Sequence, residues 1–115
     1  MIYTLLKDAT IYTDWLPREG DYAIFAAQCL ARDGATVTIE IFHKSSNAES
    51  SMDGTDTTKE ITLSSVGVAT IDMGASTAVA LRELVRFKLT ATGTNASDWA
   101  IVKILAPSWY NRGNG

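Results

Sequence analysis

The side chains able to do chemistry are few and far apart in the sequence. His43 is the sole histidine, so a cluster of imidazoles around a metal is ruled out, and a general base built on it would need partners brought by folding alone. It reads as a polar residue at the end of a strand. Cys29 is the single cysteine, which excludes an internal disulfide; its setting, Ala26-Ala27-Gln28-Cys29-Leu30, favours a buried, inert thiol over a reactive one. In Asp53-Gly54-Thr55-Asp56 two carboxylates flank a glycine and could offer oxygen ligands to calcium, but the spacing and final glutamate of an EF-hand loop are missing, and a solvated loop is expected. Ser64 and Ser65 lie in no Gly-x-Ser-x-Gly elbow, and there is no glycine-rich phosphate loop. No catalytic, cofactor-binding or metal-binding residue is expected, and the sequence points away from an enzyme. Asn95-Ala96-Ser97 fits the N-glycosylation triplet, and with no secretion signal read in the sequence a chance match is expected.

The aromatic residues offer a different chemistry. Trp15, Trp99, Trp109 and Tyr110 could present flat apolar faces to a sugar ring or to another protein. Core packing is the expectation for Trp99. Trp109 and Tyr110 follow Pro107 and precede Asn111-Arg112-Gly113-Asn114-Gly115, a tail without a strand pattern of its own. They either anchor that tail on the domain or dock on another subunit, and anchoring is favoured because tails are ordered when tied down.

The elements that must position these residues are strands. Polar and apolar side chains alternate from Thr36 to Ile41, which puts Val37, Ile39 and Ile41 on one face of a strand. The same alternation from Leu84 to Ala91 turns Val85, Phe87, Leu89 and Ala91 inward, with Arg86, Lys88 and Thr90 outward. Ile61-Thr62-Leu63 and Val66–Ile71 form a weaker pair of β segments, and Trp99–Leu105 reads as a largely buried strand. Tyr22–Ala31 is ambiguous, since its alanines favour helix, but Asp33-Gly34 leads straight into the next strand as a hairpin signal, and strand is preferred. Residues Ser76 to Glu83 could form a short helical turn. Small polar residues mark a mobile loop near 45–56, a shorter connection over Thr92–Asp98, and a turn over Asp14–Gly20 broken by Pro17 and Gly20. Such short connections imply antiparallel pairing. The expected fold class is all-β: a single antiparallel β-sandwich, jelly-roll-like, spanning 1–115, with an extended C-terminal tail over 107–115.

Composition agrees with one packed domain. The 115 residues suit a single core, with 46% hydrophobic and 20% charged residues. Ten basic against thirteen acidic residues give a net charge of −3 with no basic cluster, so nucleic acid is a poor partner. The apolar stretch of Met1–Lys7 is too short for a signal-peptide core, and no run approaches the roughly 20 apolar residues that span a bilayer. Synthesis in a cytoplasm and no membrane role are expected.

The succession Arg32–Lys44, then Glu83–Thr90, then Asp98-Trp99 and Leu105-Ala106-Pro107-Ser108-Trp109-Tyr110 resembles small β-sandwich structural proteins of tailed bacteriophages. The likeness covers residues 20 to 110 and rests on strand patterns with an aromatic ending, not on an active-site signature. It implies a virion protein made in the host cytoplasm, a capsid decoration or cement subunit whose partners are the major capsid protein and itself, such proteins often being homotrimers. A cement subunit would bind adjacent capsomers at once and favour the assembled shell by mass action. In that role the chain ends would make the intersubunit contacts, with Ile2 and Tyr3 from Met1–Lys7 and Trp109, Tyr110 and Arg112 from the tail as candidates. A carbohydrate-binding or host-surface adhesin module using Trp15 or Trp109, and a tail or neck component, are the alternative readings.

Overall fold

A computed structural model describes residues 1–46 and 54–112. They form ten strands and no helix: β1 (Ile2–Leu6), β2 (Thr10–Tyr12), β3 (Leu16–Pro17), β4 (Tyr22–Asp33), β5 (Thr36–Lys44), β6 (Thr55–Leu63), β7 (Gly67–Asp72), β8 (Leu84–Thr92), β9 (Trp99–Ile104) and β10 (Ser108–Tyr110). No helix is therefore long and apolar enough to cross a membrane.

All the strand pairs are antiparallel, in two sheets. Sheet A runs β1-β9-β4-β7, and β10 continues along the edge of β4 already held by β9, so that Ile24 faces Ser108 on one side and Asp72 on the other. Sheet B runs β2-β8-β5-β6, with β3 prolonging β2 along β8. Counting each interrupted edge as one strand, the chain visits the sheets in the order of two interlocked Greek keys, which is a jelly roll. The expected sandwich is the observed fold.

The core lies between the sheets. β5 buries Val37, Ile39 and Ile41, and β8 buries Val85, Phe87, Leu89 and Ala91, as their alternation dictates. Against these large side chains sheet A sets small ones, Ala23, Ala27, Cys29 and Ala100, and the two sheets meet through the edge-to-face pair Phe25–Phe87, whose centroids are 5.2 Å apart. This explains the ambiguity of Tyr22–Ala31: Ala23 and Ala27 face inward along a strand, while Ile24, Ala26 and Leu30 point out, so apolar residues occupy both faces and hide the period of two. The hairpin expected at Asp33-Gly34 is instead a crossing between sheets, since β4 pairs within sheet A and β5 within sheet B; the chain turns at Gly34, whose φ of 84° suits glycine, and a Cβ there would also fall 2.5 Å from Asp98 Oδ1.

Several expectations need correction. Residues 76–83 form no helical turn; Val79 and Leu81 are tied by their amides to the Met73 and Asp21 carbonyls, and Leu81 closes the core. Thr55 and Asp56 belong to β6 and not to a loop; residues 47–53, including Asp53, lie outside the described residues. The turn expected over Asp14–Gly20 contains β3, and Met1–Lys7 contributes edge strand β1. Trp99 is half-exposed on the outer side of sheet A, because its strand turns Ala100 and Val102 inward. Within the extended tail expected over 107–115, Ser108–Tyr110 is strand β10, which exists because β4 supplies a ladder that no local sequence signal announces; residues 113–115 lie outside the described residues.

Candidate functional site

The residues with catalytic potential are dispersed over the fold. His43 continues the inward row of β5; its Nδ1 accepts the Arg82 amide at 3.1 Å, and burial, then the Arg82 charge, holds its pKa below the ordinary histidine value. Cys29 is buried in the core. Ser64 and Ser65 are exposed in the turn between β6 and β7; His43, on the neighbouring strand β5, stands opposite Thr55 at the other end of β6. Glu40 is raised above the usual carboxylate range by burial, against the attraction of Lys88, and Asp56 and Glu60 push in the same direction as burial. Among the described residues no group of three or more His, Cys, Asp or Glu could hold a metal ion.

Asp98 is a loop fastener. Its Oδ2 accepts the amides of Thr94 and Asn95 at 2.9 and 3.0 Å, and its own carbonyl accepts the Lys7 amide at 3.0 Å. The hydrogen bond from Asn95 is the chief cause of its depressed pKa. Asn95 and Ser97 are exposed in that loop.

The outer face of sheet B carries a ladder of cations and rings. Lys44 Nζ lies 4.6 Å from the Trp15 ring, the Arg86 guanidinium lies 4.7 Å from Trp15 and 4.5 Å from Tyr12, and Lys88 Nζ lies 5.8 Å from Tyr12. A Cβ on Gly54 would fall 2.5 Å from Trp15 Cη2, so that ring is also walled at its edge. Trp15 thus lies over the cations of β5 and β8 beside β3.

The tail aromatics are anchored on their own domain. Trp109 packs edge-to-face on Phe25 at 5.7 Å, Tyr110 stacks on Tyr22 at 5.8 Å and donates its hydroxyl to Asp72 Oδ1, and the Arg112 guanidinium lies 5.5 Å from the Tyr22 ring. Asp72 Oδ1 also accepts the Gly74 amide at 2.9 Å. Anchoring, the favoured alternative, describes Trp109 and Tyr110; Arg112 is exposed over Tyr22.

The outer face of sheet A is the unusual surface. β1 presents Ile2 and Leu6, β9 presents Trp99 and Ile101, β4 presents Ile24 and Leu30, and β7 presents Val68, with Val66 just before it. Ile2, Leu6, Val66 and Val68 are 61%, 58%, 64% and 59% exposed. Antiparallel sheets normally turn polar side chains to water on the face away from the core. The β9–β4 register also shifts at Leu30, a bulge that thrusts this leucine outward. Sequence reasoning missed this surface because Met1–Lys7 carries no strand reading, Tyr22–Ala31 and Val66–Ile71 show no clear alternation, and only Trp99–Leu105 reads as a largely buried strand.

Beside β1, between the two sheets, opens a cleft of about 340 Å³ lined by Tyr3, Asp14, Leu16, Phe87, Ile104 and Pro107. The Tyr3 hydroxyl donates to Met1 Sδ at 2.8 Å, and burial, then the Asp14 charge, raises its pKa. The cleft pairs no nucleophile with a base. Of the candidate contact residues at the N-terminus, Ile2 therefore faces outward, while Tyr3 lines the cleft.

Comparisons with protein-family models, with curated proteins and with solved structures find no match.

Proposed function

We propose that the protein is a non-enzymatic structural subunit of a tailed-phage virion, a capsid decoration subunit that bridges neighbouring capsomers. The observation that carries an assembly role is the apolar outer face of sheet A. Ile2, Leu6, Leu30, Val66 and Val68 stand exposed there on rigid strands, interspersed with the polar Lys103, Gln28 and Thr70, and this mixture of large apolar and polar side chains has the character of a contact surface. A jelly roll is also an architecture used by capsid and lectin domains, a fold-level analogy that agrees with the reading without selecting it. The particle itself comes from the resemblance of the sequence to phage β-sandwich proteins.

Co-sedimentation with shells stripped of their accessory proteins tests the reading. Saturable binding is expected, together with its loss in the double variant Leu30→Glu/Val68→Glu, whose exposed positions leave the fold intact. Failure of the native protein to bind overturns the capsid assignment, and undiminished binding by the double variant removes sheet A from the contact.

A further inference from the structure

We infer that β1 is a self-pairing edge, through which two copies of this chain join antiparallel across a two-fold axis at Thr4. The sandwich has four edges, and three are blunted. The β2/β3 edge is interrupted between Tyr12 and Leu16 and contains Pro17; β6 carries a bulge opposite Ile41, Thr58 at a φ of 65°, and the charged Lys59 and Glu60; β7 opens on Gly67 at a φ of 139° and closes on the charged Asp72. β1 has no proline, glycine, bulge or charge from Ile2 to Leu6, and it pairs with β9 alone. Natural sheets protect exposed edges with such devices, and an edge lacking them is a template for another strand.

The hydrogen-bond parity shows which groups the edge offers. The Ile104 amide donates to the Met1 carbonyl and the Lys7 amide to the Asp98 carbonyl, so in the observed register the odd residues of β1 bond to β9. The amides and carbonyls of Ile2, Thr4 and Leu6 therefore point to the free side. The Leu6 carbonyl accepts the Ala9 amide at 3.0 Å and retains a second lone pair.

A second copy fits this pattern. With Thr4 opposite Thr4 on the axis, Ile2 falls opposite Leu6 at both ends, every outward amide meets an outward carbonyl, and the cross-strand contacts on the outer face are one Thr–Thr and two Ile–Leu pairs. Both strands meet as the same patch, as a two-fold interface requires. The two A sheets become one continuous sheet, and their apolar outer faces merge. This deepens the assembly reading by naming one partner, the chain itself, in a dimer where the resemblance implies a trimer.

Light scattering on the isolated full-length protein tests the pairing separately from capsid binding, which the co-sedimentation reads. Twice the chain mass is expected. Thr4→Pro removes an amide that faces away from β9, so the fold persists and the dimer is lost; Thr4→Lys, which sets two like charges opposite each other from an exposed site, has the same effect if the proline variant fails to fold. Thr4→Cys yields a disulfide-linked dimer, because facing residues of a hydrogen-bonded pair have Cα atoms about 5.5 Å apart. A native monomer or trimer, or a dimer that survives Thr4→Lys, overturns the inference.

Discussion

The guanidinium of Arg86 lies 4.5 Å from the centroid of the Tyr12 ring, and this contact ties the edge strand β2 to β8 across the outer face of sheet B. Arg86 is 9% exposed although it points away from the core, because Tyr12 and Trp15 fold over it. Arg86→Ala is expected to lose about 2 kcal/mol through the vanished cation–π contacts and stem packing. Urea unfolding should show a lower midpoint with an unchanged slope.

The anchored tail makes a prediction about stability. Trp109→Ala, which empties the half-buried site on Phe25, should cost about 2–3 kcal/mol, somewhat less than truncating a fully buried tryptophan. Tyr110→Phe removes the hydrogen bond that most depresses the Asp72 pKa, so in that variant Asp72 should titrate at higher pH by carboxyl-carbon NMR. Loss of capsid binding without loss of stability in Trp109→Ala would instead return this ring to an intersubunit role.

Acid should weaken the fold in two separate ranges. His43 has a lowered pKa, so its neutral form is favoured in the folded protein: its contribution is complete above the unfolded value of about 6.5 and is lost as pH falls through the folded value. As the sole histidine, it should account for the mildly acidic decline in melting temperature, which His43→Gln flattens.

Asp98 acts lower on the scale. Its pKa is depressed by the amides it accepts, so its contribution is present above the unfolded value of about 3.9 and disappears as pH falls through the folded value. Asp98→Ala should lower the melting temperature at neutral pH and shrink the loss between neutral and strongly acidic pH, as read by calorimetry across a pH series.

The strand alternation of Thr36–Ile41 and Leu84–Ala91 made both central strands of sheet B legible, because a strand with one face in water must alternate. Asp33-Gly34 marked where β4 ends, but the hairpin it announced is absent: β4 belongs to sheet A and β5 to sheet B, so the turn carries the chain from one sheet to the other. Neither β1 nor β10 had a local signal: both are held by a neighbouring ladder, and a short segment acquires strand character when a partner presents unpaired amides and carbonyls. The same holds for function.

The sequence by itself determined the fold class, the absence of a motif for catalysis, and the inward rows of β5 and β8, since these follow from side-chain period and residue type. Tertiary structure decided what no spacing contains: that Trp15 is covered by Lys44 and Arg86, that Trp109 and Tyr110 return to Phe25 and Asp72, and that Ile24, Leu30 and Val68 share one exposed face with Ile2 and Leu6. The physical reason is that a surface belongs to the sheet, whose strands are brought together by long-range pairing, while periodicity reports only which residues of one strand share a side.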